Sequence, residues 1–207
     1  WDKMQEVLKE RTRHLTVVME DFYQPHNFSA VLRSCDCFGI QDVHIIENEN
    51  RYRTNPQVNM GADKWLNIER YNERGNSNTA NCFKALKDKG YTIIAAHPHQ
   101  HDVDLFELNI DKPTALVFGT EKAGISDYVK EHADGFMKVP MYGFTESFNV
   151  SVSAALSLSY LKQVLDKSAI NWQLPPQDRH DVLQEWLKRN VKGYEYLLQE
   201  YQTKKMR

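Results

Sequence analysis

Apolar and polar residues alternate in two distinct rhythms along this chain, and the rhythm changes repeatedly over the first 165 residues. Short apolar or alternating runs predict strands at residues 15–19, 43–47, 65–71, 91–96, 114–118 and 136–139. Between these runs, apolar residues recur every three or four positions and predict helices at 27–38, 79–89, 126–132 and 150–165. Strands that alternate with helices are typical of an α/β fold, so we predict a mostly parallel sheet with helices on both faces.

Helical patterns also lie outside this alternating body. Residues 1–13 predict a short amphipathic helix, and residues 178–202, which follow the pair Pro175-Pro176, predict one long tail helix. We therefore expect three parts in the chain: an N-terminal helix at 1–14, a body at 15–166 and a C-terminal helical extension at 167–207.

Composition adds limits to this picture. A chain of 207 residues is long enough to bury a sizeable core. No apolar run reaches membrane-spanning length and no export signal is visible at the start, so we expect a cytoplasmic protein. The spacing of Cys35, Cys37 and Cys82 suggests neither a disulfide framework nor a zinc site, and we expect these thiols to be buried.

The distribution of charge is more informative than its total. A net charge of −2 argues against a protein that binds nucleic acid by bulk charge. The basic residues are concentrated at the ends, and residues 179–207 carry seven basic and four acidic side chains. This pattern indicates terminal segments that contact phosphate, although charged helices that are simply solvated give the same pattern.

Three polar clusters follow predicted strands, and the ligands of an open parallel sheet bind beyond the carboxyl ends of its strands. The clusters are His26-Asn27 with Arg33, residues 119–124, and residues 147–149. Neither a GxGxxG fingerprint nor a P-loop is present, so a pocket at this edge would be built from other loops. Plainer explanations also exist: Asn27 as a helix cap, an Arg33–Asp36 surface pair, and a solvated Glu121.

Three segments within these clusters match known motifs in order. They read PHNFSAVLRSCDCFG (25–39), LVFGTEKAGIS (116–126) and VPMYGFTESFNVSVSAAL (139–156). They resemble the three motifs of the SpoU/TrmH branch of the SPOUT RNA methyltransferases, and the resemblance runs from about Leu15 to Leu165. Within the branch, LTVVMEDFYQPHN (15–27), the Arg-Tyr-Arg run at 51–53 and the tail helix resemble most the tRNA guanosine 2′-O-methyltransferases that act at position 18 of the D-loop.

This resemblance implies a fold and an assembly that composition does not show. It implies a deep C-terminal trefoil knot, a rare exception to the rule against knotted connections. It also implies a homodimer, in which the small-residue helix after Asn149 packs against the Asn27–Phe38 helix of the other chain. It further implies that S-adenosylmethionine binds in the knot, held mainly by backbone groups, without a metal. The implied cofactor contacts are Ala96, Gly119, Val139, Met141 and Phe148.

The resemblance also implies that Arg33 is the catalytic residue, surrounded by Asn27, Glu121, Ser147 and Asn149. A guanidinium has a pKa above about 12 and stays protonated in proteins, so it is a poor base for the ribose hydroxyl. We therefore expect Arg33 to bind the adjacent phosphate while a phosphate oxygen or water takes the proton, with Glu121 orienting Arg33 or Asn27. Because the body of the chain is acidic, we expect RNA affinity to rest on a few basic groups: Arg11, Arg13, Arg51, Arg53, Lys122 and the tail lysines.

Several functions stay open at this point. The first is 2′-O-methylation of guanosine 18 in tRNA. The second is a related methyltransferase acting on rRNA or another tRNA position, and the third is a catalytically inactive, knotted RNA-binding module. The alternation of His97, His99 and His101 raises a metal site as a further alternative, but neither a cysteine partner nor a helical spacing supports it.

Overall fold

The computed structural model describes residues 1–75, 77–99 and 102–205, and for residues 201, 202, 204 and 205 it describes the backbone alone. All strand pairings in this part of the chain are parallel, and the strand order across the sheet is β3-β2-β1-β6-β4-β7-β5. The strands are β1 Leu15–Glu20, β2 Asp42–Ile46, β3 Asn67–Tyr71, β4 Thr92–Ala96, β5 Val103–Asp104, β6 Thr114–Phe118 and β7 Gly135–Lys138. The predicted α/β fold with a parallel sheet is confirmed.

Most helices begin and end close to the predicted positions, but α1 ends at Lys9 rather than at residue 13, and the C-terminal helix differs as well. They are α1 Asp2–Lys9, α2 Pro25–Cys37, α3 Pro56–Asn59, α4 Asn78–Asp88, α5 Asp127–His132, α6 Val150–Lys167, α7 Pro176–Asn190 and α8 Tyr194–Lys205. Ser126 caps α5 by accepting a hydrogen bond from the Val129 N–H, and Asn149 caps α6 in the same way from the Ser151 N–H. Serine and asparagine are both preferred at this position, because their side-chain oxygens accept from N–H groups of the first turn.

The sheet has an apolar cluster on each face, because alternate residues of a strand point to opposite sides. On β1, Val17 and Met19 belong to one cluster, and Val18 belongs to the other. The first cluster includes residues of α2 and α6, and the second includes residues of α4 and α5. Both β1 and β6 are buried along their whole length. Burial on both faces explains why their sequences are mostly apolar.

The structure differs from the predicted fold in the tail helix, in one short strand and in the burial of one cysteine. The single tail helix is divided into α7 and α8 at Gly193, whose φ of 74° a glycine adopts without the steric penalty of a side chain. The apolar stripe continues across this break, so periodicity could not reveal it. The two-residue strand β5 was not predicted, and Cys37 is exposed rather than buried.

The described chain forms two compact units. One unit, Thr12–Trp172, contains the whole sheet and helices α2 to α6. The other joins Trp1–Arg11 to Gln173–Arg207, and its buried side chains include Leu8, Val182 and Trp186. The predicted division at residues 14 and 166 stays a prediction. Among the described helices, none combines the length and the apolar character that crossing a bilayer requires.

Candidate active site

A cavity of about 480 Å³ lies beyond the carboxyl ends of β4, β6 and β7. Its walls come from the residues after these strands and from the start of α6, as expected for a ligand site in an open parallel sheet. The structure brings together here all the cofactor contacts implied by the sequence: Ala96, Gly119, Val139, Met141 and Phe148. Its volume is in the usual range for sites that bind small molecules.

The loop after β6 is a tight turn that leaves no room for a side chain at its first position. A Cβ atom built on Gly119 would lie 2.2 Å from the carbonyl oxygen of Gly124. The turn is closed by two backbone hydrogen bonds between Thr120 and Gly124, of 2.8 and 3.0 Å. Gly124 itself has a φ of 70°, which favours glycine. The two glycines of this motif therefore set the shape of one wall of the cavity.

Glu121 connects this loop to the start of α2. Its carboxylate accepts hydrogen bonds from the Tyr23 N–H (3.2 Å), the Gln24 N–H (3.4 Å) and the Asn27 Nδ2 amide (2.5 Å). Of the two partners considered from the sequence, Glu121 thus contacts Asn27 and not Arg33. Asn27 does not cap the helix, because α2 begins at Pro25 and its cap position is Gln24.

Asn149 joins the third motif to the other two. Its Nδ2 donates to Asn27 Oδ1 at 3.2 Å, and its own Oδ1 accepts from the Ser151 N–H (2.8 Å) and the Ser151 hydroxyl (2.6 Å). The result is a continuous chain of hydrogen bonds from Ser151 through Asn149 and Asn27 to Glu121. Ser147 and Asn149 are exposed and line the cavity, whereas Asn27 is buried. The sequence interpretation did not include Ser151, although a serine two positions after a capping asparagine was a visible signal.

Arg33 lies apart from this hydrogen-bond chain. It is exposed on α2, six residues after Asn27, which corresponds to about 9 Å along the helix axis. Arg33 is not a lining residue of the cavity in its own chain. It makes no hydrogen bond or ion pair to another described residue, so the surface pair with Asp36 that the sequence suggested does not form in this part of the chain.

The basic residues expected to contact RNA lie in different environments. Arg51 and Arg53 are exposed in the loop after β2, and Lys122 is exposed at the cavity. Arg13 donates to Asp42 at 2.8 Å. Arg11 is only 1% exposed, and its guanidinium lies 5.2 Å from the ring centre of Trp186. The structure therefore does not support Arg11 as an RNA contact, because a buried guanidinium cannot reach a phosphate.

The loop after β2 is held in place by two carboxylates. Asp21, which has a φ of 52°, accepts hydrogen bonds from the backbone N–H groups of residues 48, 49 and 50. Glu47 accepts a bidentate pair from Arg70, at 2.7 and 3.0 Å, and a third bond from the Tyr52 N–H. Burial alone would raise the pKa of Glu47, but the bonds from Arg70 and Tyr52 outweigh it and lower the pKa.

The side chain between the two exposed arginines faces the protein. The Tyr52 ring packs edge-on against Phe28 of α2, with 5.2 Å between ring centres, and the Arg70 guanidinium lies over the Tyr52 ring, 5.3 Å from its centre. Burial, together with the charge of Asp63, raises the pKa of Tyr52 to about 12. Arg51 and Arg53 are therefore carried on a loop that is anchored at Tyr52 to the helix of the first motif.

The histidine alternative receives no support from the described residues. His97 and His99 border the cavity, and the His99 N–H lies 3.2 Å from His97 Nδ1. Burial lowers the pKa of His97, and nearby His99 and Lys130 lower it further. In the described part of the chain, no group of three or more His, Cys, Asp or Glu side chains could hold a metal ion. His101 lies outside the described residues.

Comparisons with known proteins agree with this geometry. The model of the SpoU rRNA methylase family matches residues 14–159. The chain is 35% identical, over 94% of its length and 87% of the relative, to the tRNA (guanosine(18)-2'-O)-methyltransferase of Borreliella burgdorferi. It is 34% identical to the enzyme of the same name from Thermus thermophilus, over 90% of this chain and 95% of the relative.

Solved structures give the same result at the level of the fold. The crystal structure described as the A. aeolicus TrmH/SpoU tRNA modifying enzyme has a TM-score of 0.80 and 29% identity, covering 92% of this chain and 96% of that one. AviRb from Streptomyces viridochromogenes, a SpoU methyltransferase crystallised with AdoMet, has a TM-score of 0.66 and 21% identity, covering 79% of this chain and 65% of that one. The family model covers most of the sheet-containing unit and all three motifs. The chain belongs to the SpoU rRNA methylase family.

Proposed function

We propose that this protein transfers the methyl group of S-adenosylmethionine to the 2′-oxygen of a ribose in tRNA, at guanosine 18 of the D-loop. One observation carries the proposal: a single cavity gathers the implied cofactor contacts and is bordered by the hydrogen-bond chain that links all three motifs. Two relatives named tRNA (guanosine(18)-2'-O)-methyltransferase match nine-tenths or more of the chain, which supports the choice of substrate. A tRNA substrate would place the enzyme in the cytoplasm.

The residues of the cavity fit the proposed cofactor. Ala96, Val139, Met141 and Phe148 offer apolar surface beside the backbone of residues 119–124, which suits the adenosine part of S-adenosylmethionine. When bound, S-adenosylmethionine supplies an electrophilic methyl group on a sulfonium. The chain itself contributes a fixed wall at Gly119 and polar groups at Glu121, Ser147 and Asn149. These groups position what is bound and exclude water from one side of it.

Arg33 is proposed to bind a phosphate of the RNA. Its exposed guanidinium has no partner among the described residues, so both of its parallel N–H groups are available to phosphate oxygens. Its positive charge lowers the pKa of the neighbouring ribose hydroxyl, and the proton leaves to a phosphate oxygen or to water. The fork geometry is essential to this role, and lysine presents only a point charge.

The proposal includes a homodimer. Helix α6 buries Ala154, Leu158 and Leu161 in the core of its own chain, where it lies against α2. Val152 and Leu156, one turn apart on the same helix, stay 43% and 41% exposed. Ala155 and Ser159 complete this stripe of low bulk, which suits close packing by a second copy of the chain. A second copy brings another Arg33 and another cavity into the same assembly.

The proposal also includes the trefoil knot of the SPOUT fold. In the sheet, β4 and β6 lie between β7 and β1, yet α6, which follows β7, lies against α2, which follows β1. Residues 139–149 must therefore cross the carboxyl edge of the sheet, next to the loop 119–124. Such a crossing is the element that a knotted connection requires, and it supports the threading.

Transfer of a tritiated methyl group from S-adenosylmethionine tests the activity directly. We expect incorporation into a tRNA transcript with guanosine at position 18, no incorporation when that base is adenosine, and a 2′-O-methyl mark mapped to that ribose. The Arg33→Ala protein is the matched control and should lose at least about a hundredfold in turnover. Incorporation into rRNA alone, or at another tRNA ribose, would assign the chain to the related class of substrate. Binding of RNA without transfer would identify an inactive module.

A further inference from the structure

The hydrogen-bond chain between the motifs has a direction, and its two ends determine that direction. At one end the Ser151 N–H can only donate, and it bonds Asn149 Oδ1 at 2.8 Å. At the other end the Glu121 carboxylate, held by three N–H donors, accepts from Asn27 Nδ2. Between these ends the two side-chain amides are joined by one hydrogen bond, in which Asn149 Nδ2 donates to Asn27 Oδ1. Neither amide can turn over without placing two donors or two acceptors face to face.

The direction of this chain decides which atom Asn149 presents to the cavity. Its oxygen is occupied by the backbone N–H and the hydroxyl of Ser151, so its nitrogen faces Asn27. An amide nitrogen carries two hydrogens, and the bond to Asn27 uses one of them. Asn149 is exposed and lines the cavity, so the second hydrogen is available there. At this position the wall therefore offers a donor, which suits a ligand oxygen that carries lone pairs.

We propose that Ser151 is a positioning residue for methyl transfer. Its hydroxyl, 2.6 Å from Asn149 Oδ1, holds the amide so that the free N–H of Asn149 meets an oxygen of the bound substrate or of the methyl donor. Two oxygens share this chemistry: a ribose or phosphate oxygen of the RNA, and the carboxylate of S-adenosylmethionine. The inference rests on the proposed function and adds to it a residue that has no contact of its own with the ligand.

A purely structural role for Ser151 is the competing explanation, because the residue lies in the first turn of α6. Three variants separate the two roles. Ser151→Ala removes the hydroxyl, and Ser151→Thr keeps it. Ser157→Ala removes a buried hydroxyl from the same helix, which donates to the Ser153 carbonyl at 2.8 Å and does not line the cavity. Both alanine variants lose one hydroxyl, but only Ser151→Ala loses a hydroxyl bond to Asn149.

We expect Ser151→Ala to lower kcat/KM about tenfold, the effect of losing one hydrogen bond, with a melting temperature equal to that of Ser157→Ala. Ser151→Thr should restore most of the activity, and Ser157→Ala should keep full activity. A rise in KM for S-adenosylmethionine would place the acceptor on the carboxylate of the donor. A fall in kcat or a rise in KM for tRNA would place it on the RNA. The proposal is wrong if Ser151→Ala matches Ser157→Ala in activity, or if Ser151→Thr is as impaired as Ser151→Ala.

A second readout does not depend on turnover. The side-chain amide signals of Asn149 and Asn27 in a ¹H–¹⁵N spectrum should both shift in Ser151→Ala and keep their positions in Ser157→Ala. Unmoved signals would show that the Ser151 hydroxyl does not hold the Asn149 amide and would overturn the proposal even in an active enzyme. Absence of methyl transfer by the unaltered protein would instead reject the proposed function, while shifted amide signals would still support the direction of the hydrogen-bond chain.

Discussion

At the scale of single residues, the Glu121 side chain accepts three hydrogen bonds in the candidate site. It belongs to the loop after β6, yet its carboxylate bonds two backbone N–H groups before α2 and the Asn27 side chain within it. The separation of 94 positions between Asn27 and Glu121 shows that this contact depends on the sheet, which places the ends of β1 and β6 next to each other. A carboxylate suits the position because all its described partners are donors.

Replacing Glu121 by glutamine tests this role with almost no change in size. The amide nitrogen of Glu121→Gln would face a donor, so we expect kcat/KM to fall about a hundredfold and the free energy of unfolding to fall by about 1–2 kcal/mol. Methyl-transfer kinetics and urea denaturation measure the two effects. Glu131→Gln, which changes an exposed glutamate of α5, is the control and should alter neither quantity. Equal behaviour of the two variants would remove Glu121 from the site.

His44 makes the stability of the protein depend on pH. Burial lowers the pKa of His44 below 6.5, only partly offset by nearby Glu69. As the pH falls below about 6.5, His44 therefore binds a proton in the unfolded chain more readily than in the folded chain. The free energy of unfolding decreases over this range. We expect the slope of unfolding free energy against pH, between 6.5 and 5, to be smaller in His44→Gln than in the unaltered protein. Urea titrations at several pH values measure it, with exposed His180→Gln as the control. Parallel curves for His44→Gln and the unaltered protein would contradict the assignment.

At the scale of elements, the loops beyond the strands are fixed by hydrogen bonds that could not be predicted from the loop sequences. The loop after β2 is fixed by Asp21 from the end of β1 and by Arg70 from β3. The loop after β6 is closed on itself between Thr120 and Gly124. In each case the backbone N–H groups find acceptors without forming a helix or a strand. These loops thereby acquire fixed shapes that a binding site can use.

The tight turn after β6 gives a prediction at this scale. In Gly119→Ala the new methyl group would overlap the Gly124 carbonyl, so the backbone of the turn must move. We expect S-adenosylmethionine binding, measured by calorimetry, to be lost, and the free energy of unfolding to fall by about 2 kcal/mol or more. Gly143→Ala is the matched control, because no atom lies within 4 Å of its added methyl group. Retained affinity in Gly119→Ala would show that this wall is not part of the cofactor site.

At the scale of the whole molecule, the exposed stripe on α6 is the strongest argument for a second chain. Its apolar side chains Val152 and Leu156 are partly exposed to solvent, although the opposite face of the same helix is buried. Exposed apolar side chains occur singly on most proteins, but two of them one turn apart beside small residues form a surface that another helix can cover. Assembly would then determine which groups meet at each cavity.

A charge in the middle of this stripe should prevent assembly. We expect Leu156→Asp to sediment as a monomer and to lose methyl transfer, because a buried unpaired carboxylate is costly at an interface. Gln163→Asp, which adds the same charge at an exposed position of the same helix, should stay dimeric and active. Sedimentation equilibrium combined with kinetics checks both variants. A fully active Leu156→Asp monomer would show that one chain is sufficient.

The sequence by itself determined the elements and their order. Apolar periodicity located six of the strands and the starts of α5 and α6, and the motifs following β1, β6 and β7 indicated one edge of the sheet. These features are local, because a strand or helix exposes its faces at a fixed period and a cap bonds N–H groups only a few residues away. Patterns of this kind can be detected before any packing is known.

Only the tertiary structure decided which side chains meet. It joined Asn27 to Glu121 rather than leaving it as a cap, added Ser151 to the same hydrogen-bond chain, and buried Arg11 against Trp186. It also left Arg33 without a described partner. The Asn27–Glu121 and Asn149–Asn27 contacts bridge residues that lie 94 and 122 positions apart along the chain, and they depend on strand order and on the course of residues 139–149 across the sheet. A local pattern carries no information about that course, because burial and hydrogen bonding between distant segments are set by how the elements pack.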